Sequence, residues 1–191
     1  MAAWPVERDG VVETVVTTLG PNDRWNVAAL GVEGLDDDGP ARARTWGRTR
    51  TWRNFRERGG GYVQFTRDPV DFVEAALAVR EEDDPILDSA DAWVEIEATT
   101  VDSGEDGGTE WTDWALDAVD SNVERRIVPA TSRGHAAVVE ATVAASRLDV
   151  DAYDSDDLRD RLDYFEEVVE RCGGERERAA VERARSLVDG W

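Results

Sequence analysis

The residues best suited to chemistry in this chain lie in one basic segment, ARARTWGRTRTWRNFRER, which spans residues 41–58 and holds seven arginines. A guanidinium group is a planar fork that matches the oxygens of a phosphate. The hydroxyls of Thr49 and Thr51 and the amide of Asn54 could donate hydrogen bonds to the same group. These residue types, in this spacing, predict a clamp for a phosphate.

Two other interpretations of the basic segment stay open on residue types alone. All 22 basic residues are arginines and they face 43 Asp and Glu, so the arginines could simply pair with carboxylates. Arginines interleaved with tryptophans could also form a nucleic-acid patch. A formal charge of −21 opposes contact with a phosphate backbone, so we expect no nucleic-acid partner.

The acidic composition indicates adaptation to a high-salt habitat rather than binding to a particular partner. Dense carboxylates without lysine are typical of proteins that remain dissolved at high salt, where charges are screened within about 3 Å at 1 M. We therefore expect a halophilic protein with an acidic surface. The first residues lack a signal-peptide pattern, and no apolar run approaches the roughly 20 residues of a membrane span, so we expect a cytoplasmic protein without membrane contact.

Cysteine and histidine offer little chemistry in this chain. Cys172 is the single cysteine, which excludes an internal disulfide and a cysteine-rich metal site. His135 is the single histidine and follows Gly134 at a predicted helix start. It is best interpreted as a capping or interface residue, and we expect no metal site.

The elements that must position the basic segment form a β-rich part, residues 1–130, and a helical part, residues 131–191. Strands are predicted at 10–20, 24–32, 41–52, 61–66 and 92–101, followed by a hairpin of 111–119 with 123–128. An acidic loop is predicted at 33–40, and one helix at 70–80 starts after Asp68 and Pro69. The tail predicts helices at 135–148, 157–172 and 175–188, the second ending at Gly173 and Gly174. Closely spaced strands without βαβ alternation favour a small, mostly antiparallel barrel.

Within the predicted strand 41–52, residue types alternate cleanly over the eight residues from Thr45 to Trp52. The alternation would place Trp46, Arg48, Arg50 and Trp52 on one face, and Thr45, Gly47, Thr49 and Thr51 on the other. A phosphate clamp would then be built on a strand and its following turn, without a helix N-terminus.

Six segments in order carry a resemblance to a known family: ETVVTT at 13–18, WNVAALGV around Asn26, GRTRTWRNF, YVQFTRDP, RGHAAVVEATVAASRL and CGGERERAA. Together they resemble a family of uncharacterised, mostly archaeal proteins with the FMN-binding split β-barrel fold of the flavin reductases. The resemblance covers nearly the whole chain. Phe55 stands where the family commonly has Leu, and Gln64 where it commonly has Asn.

The resemblance implies a mainly β fold: a split β-barrel with one inserted helix and a C-terminal helical region packed on it. It also implies a homodimer with FMN at the interface. On that basis Arg48, Thr49, Thr51 and Asn54 would hold the phosphate, and Arg133 would complete the charge. The isoalloxazine ring or the ribityl chain would contact the backbone from Asn26 to Leu30, which includes Val27, Ala28 and Ala29, and the side chain of Gln64. Thr66, two residues further on, belongs to the same predicted set.

Two functions follow as hypotheses. The first is an FMN-dependent oxidoreductase of the flavin reductase type, in which the cofactor performs the electron transfer. The chain lacks a Rossmann glycine fingerprint, so NAD(P)H would have to dock transiently over the flavin, and no catalytic residue is identified. The second is a non-catalytic flavin carrier or binding protein.

Overall fold

The computed structural model describes residues 3–35 and 39–191, so residues 36–38 of the predicted acidic loop lie outside the described residues. Twelve elements follow one another: β1 (Val12–Leu19), β2 (Trp25–Glu33), β3 (Ala41–Trp46), α1 (Arg50–Arg58), β4 (Gly60–Thr66), α2 (Pro69–Leu77), β5 (Arg80–Glu82), β6 (Ala90–Asp106), β7 (Thr109–Val123), α3 (Arg133–Ala145), α4 (Ser155–Cys172) and α5 (Glu175–Leu187).

Six of the strands close into an antiparallel barrel. Their order is β1-β4-β6-β7-β3-β2, and β2 pairs back onto β1, while β5 adds to the outer edge of β2 as an extra strand. Closure needs side chains that alternate between an apolar interior and a more polar exterior. In β3 this alternation is regular: Ala41, Ala43 and Thr45 are buried, and Arg42 and Arg44 are exposed.

The interior of the barrel is a continuous apolar core. It includes Val16, Val63, Ile96, Trp114 and Leu116, all of which are 2% exposed or less. Side chains of this size contribute roughly 1.5–3 kcal/mol each when they leave water. The core therefore makes the barrel a rigid scaffold for anything that binds at its ends.

The prediction that a strand continues to Trp52 is wrong, because β3 ends at Trp46. Gly47 has a φ of 69°, a conformation that favours glycine, and it turns the chain out of the sheet. Thr49 then caps α1 by accepting a hydrogen bond from the Trp52 backbone N–H at 3.2 Å. Over so short a window, the residue pattern is compatible with both a strand and a helix. The helix is selected because it buries Phe55 inside the barrel.

The prediction of a hairpin at 111–128 is also wrong. β7 runs without interruption to Val123 and pairs with β6 over its whole length. Asp120, Ser121 and Asn122 continue this ladder instead of forming a turn. β6 and β7 together extend beyond the barrel core as a ribbon whose residues from 99 to 108 are exposed. The β-rich part also contains two helices, α1 and α2, where one was expected.

The chain divides into two compact units. The first comprises Met1–Arg67 and Arg80–Arg126, and the second comprises Asp68–Val79 and Ile127–Trp191. In the second unit Val73 of α2 packs with Val138, Val169 and Val181 of the tail helices. The three predicted tail helices are present, and Gly173 caps α4 as expected. Among the described residues, no helix combines the length and the apolar character needed to cross a membrane.

Candidate functional site

A row of polar side chains crosses three strands of the barrel beside α1. Thr18 of β1 pairs with Asn26 of β2, and Asn26 pairs with Glu81 of β5. Residues opposite one another in antiparallel strands share a face of the sheet, so these three side chains lie side by side. We call Thr18, Asn26 and Glu81 the polar row.

Helix α1 reaches both ends of the polar row with residues one turn apart. Asn54 donates from Nδ2 to the Thr18 hydroxyl at 3.0 Å, and Arg50 donates from Nη1 to Glu81 Oε1 at 2.6 Å. Residues i and i+4 of a helix lie on one side of it, which explains how both contacts form at once. Glu81 was not among the predicted site residues, because the short strand β5 was not predicted.

Three polar groups at this place lack protein partners. Arg53 Nε is a buried donor and Asn54 Oδ1 is a buried acceptor. Neither atom forms a hydrogen bond with the described residues. The Asn26 side chain is 5% exposed, and within the described chain it likewise makes no hydrogen bond. Buried polar groups in native proteins are almost always bonded, and an orphan points to a ligand, an ion or a water.

Strand β2 has an open backbone edge next to the polar row. On the edge away from β1, residues 25–27 pair with β5 and residues 32–33 pair with β3. Between these two pairings, residues 28–31 meet no strand among the described residues. Every second residue there turns its N–H and C=O outward, so the edge offers both donors and acceptors. This open edge includes Ala28 and Ala29, two of the predicted contacts.

Gln64 and Thr66 have structural partners in this fold. Gln64 is fully buried; its Nε2 donates to Pro85 O at 2.9 Å and to the Thr17 hydroxyl at 3.0 Å, and its Oε1 accepts from the Leu87 N–H at 2.8 Å. Thr66 donates from its hydroxyl to Ser89 O at 3.2 Å. Both residues hold the loop 83–89 against the barrel, and the Gln64 amide has no free group for a ligand.

The other predicted phosphate residues belong to different elements of the chain. Thr51 is buried in the first turn, whereas Arg48 is exposed and forms a bidentate pair with Glu110 at 2.8 and 3.1 Å. The hydrogen bonds and the positive charge of Arg48 hold the pKa of Glu110 below its ordinary value. Arg133 is the exposed first residue of α3 in the second unit.

The site assembled by the fold therefore differs in part from the predicted one. It combines Asn26 and Asn54, which the sequence identified, with Thr18, Arg50 and Arg53, which it did not. The helical spacing of Arg50, Arg53 and Asn54 was a signal that could have found them. The orphaned groups are one donor and one acceptor on α1, so a fitting ligand carries both acceptor oxygens and hydroxyl or N–H donors.

Comparison with known proteins gives two family matches and a structural match. Residues 12–125 match the model described as protein of unknown function (DUF447) N-terminal domain, and residues 132–185 match the model described as protein of unknown function (DUF447). An FMN-bound protein of that family from Methanosarcina mazei has a similar structure. The TM-score is 0.78 at 21% identity, over 95% of this chain and 96% of the other. This similarity confirms the predicted split β-barrel fold.

Two further solved structures are less similar. The styrene monooxygenase flavin reductase from Pseudomonas putida gives a TM-score of 0.41 at 15% identity, over 60% of this chain and 79% of the reductase. Flavoredoxin from Methanosarcina acetivorans gives 0.42 at 11% identity, over 68% of this chain and 77% of the other. No curated protein matches the chain in sequence.

Proposed function

The chain belongs to the DUF447 family, and from this premise we propose that it is an FMN-binding flavoprotein of the flavin reductase type. The observation that carries the proposal is the pair of orphaned buried groups on α1, Arg53 Nε and Asn54 Oδ1. The M. mazei relative is FMN-bound, which supports FMN as the ligand.

The ribityl phosphate of FMN fits the two orphaned groups because it brings both kinds of partner. Its phosphate oxygens accept hydrogen bonds, as the Arg53 guanidinium requires, and its ribityl hydroxyls donate, as Asn54 Oδ1 requires. The N-terminal turn of α1, with Thr49 and Thr51, adds the positive end of the helix dipole. Arg53 has no carboxylate partner within the described chain, so its charge is available for the phosphate.

We assign the isoalloxazine ring to the open edge of β2. The ring edge carries carbonyl and N–H groups, and residues 28–31 offer backbone N–H and C=O groups in alternation. The small side chains of Ala28 and Ala29 allow a flat ring to approach the strand. Asn26, at the start of this edge, has an amide free for the ribityl chain or the ring.

When bound, FMN supplies the electron transfer, and the protein binds, orients and shields it. The half-buried edge would leave one side of the ring open to solvent on a single chain, and a second copy would cover it. We therefore propose a homodimer with FMN at the interface. NAD(P)H would dock over the flavin as the electron donor. A non-catalytic flavin carrier is the second candidate, because the contacts that would hold FMN do not by themselves supply electrons to it.

The binding experiment compares FMN affinity of the wild-type protein with that of Arg53→Gln. Titration of FMN-free protein, followed by quenching of flavin fluorescence, should give a Kd about tenfold or more weaker for the variant, since a charge-assisted hydrogen bond is lost. Arg58→Gln, an exposed arginine at the other end of α1, is the matched control and should bind like wild type. An unchanged Kd for Arg53→Gln would refute the site.

Turnover separates the two candidate functions. An enzyme should bleach its bound flavin with NADH or NADPH in the absence of oxygen and pass the electrons to an added acceptor. A carrier should keep stoichiometric FMN in the oxidised state under the same conditions. Light scattering of FMN-loaded protein would measure the proposed dimer, and a monomer would refute the shared interface.

A further inference from the structure

A second concave surface lies on the side of α1 that faces the β6–β7 ribbon. The α1–ribbon groove has a volume of about 400 Å³, within the range of small-molecule sites. It is lined from α1 and its approach by Gly47, Arg48, Trp52 and Arg56, and from the ribbon by Thr100, Ser103, Gly104, Glu110, Trp111 and Thr112. None of these residues is part of the FMN site proposed above.

The walls of the groove are held in place by specific contacts. Trp52 donates from Nε1 to the Thr112 hydroxyl at 3.1 Å, which fixes its ring between the helix and the ribbon. On the ribbon, Trp111 lies against the backbone of Gly104, where a Cβ atom would come within 2.6 Å of the ring. The guanidinium of Arg44 stacks on the same ring at 4.2 Å. The groove is therefore preformed.

Two arginines lie near the Trp52 ring: Arg48, which precedes α1, and Arg56, which follows Trp52 by one helical turn. The guanidinium of Arg56 lies 4.8 Å from the centre of the Trp52 ring, and that of Arg48 lies 5.8 Å away. Stacking on an aromatic ring orients a guanidinium and leaves its N–H groups free for an anion. Arg56 forms no ion pair within the described part of the chain, although acids outnumber arginines almost twofold.

The other arginine, Arg48, is paired with Glu110. Its carboxylate forms both hydrogen bonds to Arg48, in the bidentate arrangement that a phosphate or carboxylate of a ligand would also adopt. The Arg48 and Glu110 side chains are 70% and 55% exposed, so water screens the pair and weakens it. Among the described lining residues Glu110 is the one carboxylate, and without it the groove would have two free guanidinium groups.

We propose that the α1–ribbon groove binds a second phosphorylated ligand of nucleotide size, and that Glu110 holds the place of its phosphate on Arg48 until the ligand arrives. Arg56 and Arg48 then share the phosphate, and the hydroxyls of Thr100 and Ser103 contact the rest of the molecule. This ligand is separate from FMN because Trp52 and Arg56 lie on a different side of α1 from Arg50 and Asn54, and Arg48 precedes the helix.

The test uses adenosine 5′-monophosphate and inorganic phosphate as probes, titrated by calorimetry into full-length protein with and without FMN, at fixed potassium chloride. We expect AMP to bind in both states. Arg56→Gln should weaken AMP binding about tenfold or more, because it removes a charge-assisted contact. Glu110→Gln should strengthen it about threefold or more, because the competing carboxylate is gone.

Two controls separate this proposal from the FMN site. Arg58→Gln changes an exposed arginine on the same helix and should bind AMP like wild type. Arg53→Gln should lose FMN yet keep AMP, whereas Arg56→Gln should keep FMN and lose AMP. AMP binding tighter than phosphate identifies a nucleotide, and equal binding identifies free phosphate; either supports the phosphate site.

Three outcomes would overturn the proposal. The first is no heat from either probe up to about 10 mM, the weak end of biological affinity. The second is an Arg56→Gln variant that is folded and binds AMP like wild type. The third is displacement of AMP by FMN together with loss of FMN in Arg56→Gln, which would make the groove the flavin site itself.

Discussion

The substitution Asn54→Ala tests the orphaned groups on α1 directly. Asn54 is 1% exposed and bonds Thr18 through Nδ2, while its Oδ1 has no protein partner. Without FMN, the change loses a hydrogen bond and leaves a small cavity, at about 1 kcal/mol each. It also removes an unsatisfied acceptor that costs roughly 1–3 kcal/mol. The terms nearly cancel, so the free energy of unfolding of the FMN-free protein should change by less than about 1 kcal/mol.

With FMN bound, the same substitution should cost more. FMN at a hundred times its Kd stabilises the native state by about 2.7 kcal/mol. If the lost contact weakens binding about tenfold, that stabilisation falls to about 1.4 kcal/mol. The destabilisation by Asn54→Ala should therefore be visible only when FMN is present.

The assay is denaturant unfolding at constant potassium chloride, followed by tryptophan fluorescence. Seven of the eight tryptophans lie before residue 127, so the signal reports on the barrel unit. Asn122→Ala removes an exposed amide on β7 that bonds Glu124 and serves as the control, with changes within about 0.5 kcal/mol in both states. A loss of about 3 kcal/mol without FMN, or an equal loss in both states, would refute the reasoning.

Three further outcomes are expected. Phe55→Ala should cost about 3–5 kcal/mol because this side chain is 1% exposed and packs on Trp114 with ring centres 5.1 Å apart; Val128→Ala, which is 91% exposed, should cost almost nothing in the same melts. Hydrogen bonds from Arg44 hold the pKa of Asp113 below its ordinary 3.8, so the pair stabilises the fold above that pH and is lost as the pH falls through the lowered value. Asp113→Asn should therefore be slightly less stable than wild type near neutral pH, since so exposed a pair contributes little, and the difference between the two melting temperatures should vanish as the pH falls below the lowered pKa of Asp113; a constant difference would contradict this. The melting temperature should rise between about 0.1 and 2 M potassium chloride, because a formal charge of −21 repels itself less when screened, and a flat salt profile in scanning calorimetry would speak against the halophilic interpretation.

Local signals in the amino-acid sequence were enough to predict the class of fold and most of its elements. Strand alternation and helix caps are local signals, and they act over a few residues. Asp68 followed by Pro69 opens α2 as predicted, with the Asp68 carboxylate accepting from the Val70 N–H at 2.9 Å. Gly173 ends α4 at the predicted position, and its backbone N–H donates to the Val169 carbonyl. The six segments quoted under the sequence analysis resemble a family with the split-barrel fold, and this resemblance predicted the barrel. The structural comparison confirms that fold.

The turn of the basic segment and the contacts of its residues depend on the packing of the barrel, which local signals do not contain. Local spacing allowed both a strand and a helix after Trp46, and the burial of Phe55 in the barrel selected the helix. That choice placed Arg48, which precedes α1, at the groove and Asn54, which is on α1, at the polar row. Thr18, Asn26 and Glu81 meet only because three antiparallel strands align them, although up to 63 positions separate them in the chain. Hydrogen bonds and charges act through space, so a site built from such distant residues exists only once the barrel has closed.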